Sequence, residues 1–74
     1  MEKVKEYVES LSRVNMMIQP VQDMHGFVII SNDPKHLEGF EKGAKDFANR
    51  NGLKVIVEEQ PRGWLILFKK SFST

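Results

Sequence analysis

Apolar residues near the start of the chain follow the period of an α-helix. They recur three or four positions apart, which is the spacing of neighbouring side chains on one helical face: Val4, Tyr7, Val8 and Leu11. Glu2 lies in the first turn and Arg13 in the last, an order of charge that suits the helix dipole. We therefore predict a first helix from Glu2 to about Arg13.

A second helical pattern lies in the middle of the chain. Asp33 can cap a helix and Pro34 suits its first position, Asn51-Gly52 is a typical helix end, and an apolar stripe lies between them: Leu37, Phe40, Ala44, Phe47 and Ala48. Gly39 and Gly43 each cost about 1 kcal/mol inside a helix relative to alanine. Close packing of the helix on a sheet explains them; a ligand or partner that approaches the backbone is the alternative.

Three segments have the composition of β-strands. Phe27 to Ser31 is a continuous apolar run, as expected of a central strand that is buried on both faces or nearly so. Trp64 to Phe68 should be a second core strand. Leu53 to Glu59 and Trp64 to Lys70 flank Gln60-Pro61-Arg62-Gly63, which predicts a hairpin connection.

The segment from Met16 to Gln22 is apolar enough for a fourth strand. Pro20 lacks the N–H that a sheet ladder needs, so such a strand should lie at a sheet edge. Asp23 and Gly26 stand at the first and fourth positions of the turn that should follow. An extended loop from Met16 to Asp23 is the alternative.

These elements predict an α+β fold, a two-layer sandwich in the order α-β-β-α-β-β, with both helices on one face of a small, mainly antiparallel sheet. Alternate residues of a strand point to opposite faces, so Leu65 and Leu67 lie opposite the face that carries Trp64 and Phe68. Two helices cannot cover both faces. We therefore expect Ile56 and one of the two apolar sets of the last strand to be left exposed, and exposed apolar surface of this kind is typical of a partner interface. Which face is uncovered stays open at this point, and Ile56, Leu65 and Leu67 are the candidate interface.

Composition narrows the possible functions. The chain has 74 residues and is expected to form a single domain, 1–74, whose small core makes a partner subunit a reasonable expectation. Its net charge of +1 disfavours binding driven by charge alone to nucleic acid or membrane. The absence of cysteine excludes disulfides, thiolate metal sites and thiol catalysis. The charged start has no apolar core of a signal peptide, so we expect a cytoplasmic protein.

No pattern in the chain assembles a catalytic or metal site. His25 and His36 are the only histidines, and two histidines without a carboxylate at ligand spacing predict surface or structural roles. Glu58 and Glu59 are adjacent, so in a strand they point to opposite faces. Asn32, Asp33 and His36 gather at one predicted helix start, where capping is the favoured role. We expect no enzyme activity and no cofactor.

A basic patch with one aromatic residue gives an alternative function. Its members lie in or beside the predicted hairpin: Arg62, Trp64, Lys69 and Lys70. Stacking on an aromatic ring together with cations is how many sheets bind single-stranded nucleic acid. A tryptophan in the core or at an interface explains the same residue without nucleic acid.

A strand, a helix and a hairpin follow one another in the segment 27–70. They are Val28-Ile29-Ile30-Ser31 before Asn32-Asp33-Pro34, a helix that ends near Gly52, and a hairpin whose last strand is Trp64-Leu65-Ile66-Leu67-Phe68-Lys69. This segment resembles the C-terminal part of the TusA/SirA-like sulfur-carrier family. The resemblance implies a related two-layer fold. The family opens with a strand and a Cys-Pro-x-Pro motif, which this chain lacks, so the resemblance implies no sulfur transfer.

The sequence therefore favours a small non-enzymatic interaction module, a homodimer that associates through the uncovered sheet face or an edge strand. Nucleic-acid binding is the alternative, and a non-catalytic relative of sulfur carriers is the third. No segment is apolar over the ~20 residues that a membrane-spanning helix needs.

Overall fold

The computed structural model describes residues 2–71. Two helices and four strands follow one another in the predicted order: α1 (Glu2–Val14), β1 (Ile18–Pro20), β2 (Gly26–Ile30), α2 (Pro34–Arg50), β3 (Leu53–Gln60) and β4 (Gly63–Lys70). The predicted α+β two-layer fold is confirmed.

The four strands form one sheet in the order β1-β2-β4-β3, and every neighbouring pair is antiparallel. β2 and β4 are central, as expected from their apolar composition, whereas β1 and β3 lie at the two edges. β3 and β4 are joined through Pro61 and Arg62, with Gln60 paired to Gly63. Gly63 is required there, because a side chain would collide with the backbone of Ile29.

The core lies between the sheet and the two helices. The helices contribute Val4, Val8, Ala44 and Ala48, and the strands contribute Ile18, Phe27, Ile29, Ile66 and Phe68. Tyr7 of α1 stacks on Phe47 of α2 with ring centroids 4.3 Å apart, and Phe68 of β4 meets both rings edge-to-face. These aromatic contacts join both helices to the same face of the sheet.

Both ends of α2 have the residues and conformations that were predicted, but its two glycines do not pack closely on the sheet. The Asp33 carboxylate accepts a hydrogen bond of 2.9 Å from the Lys35 N–H, and Gly52 has a left-handed φ of 66°. Gly39, however, is exposed with open space around it, so close packing on the sheet is wrong for this residue. Gly43 faces the Tyr7 hydroxyl of α1 rather than the sheet.

The segment before β2 needs two corrections. The predicted edge strand from Met16 to Gln22 exists, but it is shortened to Ile18–Pro20. The turn that follows begins at Val21 rather than at Asp23, since the Met24 N–H donates to the Val21 carbonyl at 3.0 Å. Gly26 belongs to β2, where a side chain would collide with the Ile66 carbonyl.

Candidate functional site: the outer face and free edge of the sheet

Within the described residues 2–71, no helix packs on one face of the sheet, which we call the outer face. The apolar side chains on it come from the three longest strands and form the outer patch: Val28, Ile30, Ile56, Leu65 and Leu67. None of the five belongs to the core or packs against it. Four are half-buried because they shield one another, and Ile30 is 37% exposed.

Strand register places these side chains side by side. Leu67 lies between Ile56 of β3 and Gly26 of β2, and Leu65 lies between Glu58 of β3 and Val28 of β2. Directly opposite residues in an antiparallel sheet have Cβ atoms about 5 Å apart. The outer patch is therefore one connected apolar surface across three strands.

The sequence identified three members of the outer patch and missed two. Ile56, Leu65 and Leu67 lie where they were expected, although their role as an interface stays a prediction. Val28 and Ile30 were taken as part of a strand buried on nearly both faces, which is wrong because β2 has the same uncovered face as β4. Since two helices cover only one face of the sheet, alternate residues of both central strands must lie on the uncovered face. This is the signal in the sequence that points to Val28 and Ile30.

Charged residues surround the outer patch on β3 and β4. Lys54 and Lys69 are directly opposite each other on the outer face, next to the pair of Ile56 and Leu67. Like charges at directly opposite positions destabilise a sheet. Glu58 is exposed on the same face of β3, one row beyond Ile56.

The two edges of the sheet differ in length and composition. β1 has three residues and ends in Pro20, two features that protect an edge from pairing with another strand. β3 has eight residues and contains neither proline nor a residue with positive φ. Its Val55 and Val57 are half-buried against the core, and Lys54 and Glu58 are exposed.

The structure does not bring the four residues of the predicted nucleic-acid patch together. Arg62 is exposed in the hairpin turn, and Lys69 lies seven residues along β4, roughly 23 Å away at the rise of a strand. Trp64 is half-buried and packs against the core on the helix side. Lys70 lies on the same face of β4 as Trp64, whereas Lys69 points to the outer face. The four residues thus occupy two ends and two faces of the strand.

The two histidines lie beyond opposite ends of β2. The His25 carbonyl accepts a hydrogen bond from the Phe68 N–H at 2.9 Å, which places His25 just before β2. His36 lies in the first turn of α2, with its Nδ1 2.6 Å from the Ser31 Oγ. Ser31 Oγ also accepts from the Asp33 N–H at 3.1 Å. Ser31, Asp33 and His36 thus order the start of α2.

The depressions on the surface do not bring together the residues of a catalytic or metal site among residues 2–71. One depression, of about 450 Å³, lies between the start of α1 and the α2–β3 turn and is lined by Glu2, Lys3, Val4, Asn51, Gly52, Leu53, Lys70 and Ser71. Within residues 2–71, no cluster of three or more His, Cys, Asp or Glu side chains could hold a metal ion. In the same part of the chain, neither helix is long and apolar enough to cross a membrane.

Comparison of the chain with models of known protein families, with curated proteins and with solved structures gave no match. The resemblance to sulfur carriers therefore stays a prediction.

Proposed function

We propose that this protein is a non-enzymatic interaction module that associates with a second copy of itself through its sheet. The observation that carries the proposal is the open part of the sheet: the outer patch, five apolar side chains on a face that the helices leave uncovered, and beside it the continuous eight-residue edge of β3. Connected apolar surface of this kind is typical of protein interfaces. A chain of 74 residues also gains more from a partner than a larger domain does, because its own core is small.

The charge distribution supports a protein partner over nucleic acid. The net charge is +1, and the outer face carries both signs, with Lys54 and Lys69 at one end of the outer patch and Glu58 beside it. Nucleic-acid binding depends on several cations that meet the phosphate backbone together. The wide separation of Arg62 from Lys69 does not favour that alternative.

Sedimentation velocity over a wide range of protein concentrations tests the proposal. We expect a transition from monomer to dimer, and a monomer at every concentration would contradict the proposal. Leu65→Asp places a charge in the outer patch, and Met16→Asp is its matched control because Met16 is fully exposed in the α1–β1 connection. Loss of the dimer in Leu65→Asp alone assigns the contact to the outer face; a dimer in both variants assigns it to the edge.

A further inference from the structure

The free edge of β3 carries a row of backbone groups without partners among residues 2–71. Hydrogen-bonded and non-bonded pairs alternate along an antiparallel ladder, and the Ser71 N–H donates to the Gly52 carbonyl at 3.2 Å. Even-numbered residues of β3 therefore bond to β4. The odd-numbered residues turn their N–H and C=O groups to the free edge: Leu53, Val55, Val57 and Glu59.

The charged side chains of this edge are complementary about Ile56. Lys54 and Glu58 have opposite charges, share the outer face and lie two residues before and two residues after Ile56. An antiparallel copy of β3 placed about Ile56 would bring each lysine opposite a glutamate. A contact between identical copies about a two-fold axis needs this kind of self-complementary surface.

We infer that two copies of the chain pair through β3, antiparallel, with Ile56 opposite the partner's Ile56 at the two-fold axis. The inference rests on the proposed function and names the contact that produces the dimer. Val55 then exchanges backbone hydrogen bonds with the partner's Val57, and Leu53 does so with the partner's Glu59. The result is one continuous eight-stranded sheet with all four helices on the same side.

Other registers do not place Lys54 opposite the partner's Glu58. A shift by two residues puts Ile56 opposite either the partner's Lys54 or the partner's Glu58, so that neither Lys54 nor Glu58 lies opposite a residue of the other charge. A shift by one residue exchanges the two faces of the strand. Parallel pairing about a two-fold axis places Lys54 and the partner's Lys54 at the same height but on opposite faces of the sheet, so neither lysine lies opposite a glutamate. The Ile56-centred antiparallel register alone pairs opposite charges on both sides of the axis.

This register also relieves an unfavourable pair within each copy. Lys54 is directly opposite Lys69 of its own chain, and like charges at directly opposite positions of a sheet repel each other. The partner's Glu58 lies on the other side of Lys54 and offsets that repulsion. The apolar pair of Leu67 and Ile56 continues into the same pair of the partner, so that the two outer patches become one surface.

The helix side of the edge leaves room for a second copy. A groove runs between α2 and β3, lined by Lys45, Asp46, Ala48, Asn49, Leu53, Lys54 and Val55. Its α2 wall carries one positive and one negative residue, so the approach of an identical wall is not opposed by charges of a single sign. Val55 and Val57 are half-buried there and would lose further exposure against the partner's valines.

Charge reversal tests this register in the full-length chain. We expect Lys54→Glu and Glu58→Lys each to raise the dimer dissociation constant roughly tenfold or more, because each variant replaces two attractive pairs with two repulsive ones. The double variant Lys54→Glu/Glu58→Lys restores opposite charges and should return to within about threefold of the wild type. Lys5→Glu, which makes the same change of net charge on α1 as Lys54→Glu does on β3, is the matched control for that variant.

The folding of the variants is separable from their association. Lys54→Glu replaces the repulsive pair with Lys69 by an attractive one, so this variant should fold, which circular dichroism and Trp64 fluorescence can check. Double and single variants with equal dissociation constants would overturn the register. A dimer lost in Leu65→Asp but kept in Lys54→Glu would overturn the edge and leave the proposed function intact. A monomeric wild type would overturn both.

Discussion

Tyr7 shows how one polar atom in an aromatic cluster can affect the stability of the protein. Burial raises the pKa of the Tyr7 phenol above its ordinary value of 10.0, with opposing smaller effects of the Arg50 and Asp46 charges. The ring is held between α1 and α2 by its stacking on Phe47. The folded state therefore retains the phenol proton at a pH where the unfolded chain releases it.

This raised pKa predicts a loss of stability in alkali. Below pH 10.0 both states keep the proton and Tyr7 adds no pH dependence; above it the unfolded chain binds fewer protons, so the free energy of unfolding falls. The fall stops once the pH exceeds the pKa of the folded state.

Urea denaturation at pH about 9 and about 11 tests this, with Tyr7→Phe as the comparison, because lysines also titrate in this range. We expect the variant to lose less stability than the wild type between the two values. Tyr7 is the only tyrosine, so its phenolate absorbance gives the pKa directly. An equal loss in both proteins would show that Tyr7 does not contribute.

At the scale of the element, α2 contains a residue that its own packing does not require. Gly39 is exposed and has open space where a side chain would lie. Gly39→Ala should therefore raise the free energy of unfolding by about 0.5–1 kcal/mol, since alanine loses less backbone entropy than glycine in a helix. Denaturant titration measures the change.

Gly43→Ala is the matched substitution one turn later. Its new methyl group would lie 3.3 Å from the Tyr7 hydroxyl, so the aromatic ring must shift and the gain should be smaller. If Gly39→Ala instead weakens self-association without loss of stability, a partner approaches the α2 backbone, which was the alternative that the sequence left open.

The elements could be predicted where local chemistry determines them. The α2 cap, its proline and its final glycine act within a few residues, and the apolar stripes identify the buried helix faces. The length of β1 could not be predicted, because β1 is limited to the three residues that pair with Phe27, Val28 and Ile29. The outer position of Val28 and Ile30 likewise depends on which sheet face the helices cover.

The whole molecule combines a small core with an open sheet. Among residues 2–71, the nine buried apolar residues all lie between the helices and the sheet face that the helices cover, while the outer patch and the β3 edge are directed away from this core. The proposed interaction surface could be predicted only in part, since Ile56, Leu65 and Leu67 follow from strand alternation within the hairpin. The proposed pairing of Lys54 with the partner's Glu58 needs the strand order, which places β3 at an edge.

Self-association and folding should therefore be coupled. Binding that favours the folded state makes the melting temperature depend on protein concentration, and a hundredfold increase in concentration should raise it by roughly 5 °C or more for a domain of this size. Lys54→Glu, whose dimer should dissociate more readily, should show a smaller difference in melting temperature between the two concentrations, while Lys5→Glu should behave as the wild type. Circular dichroism melts at two concentrations measure this. A wild-type melting temperature independent of concentration would show that the dimer, if it forms, contributes nothing to the stability of the fold.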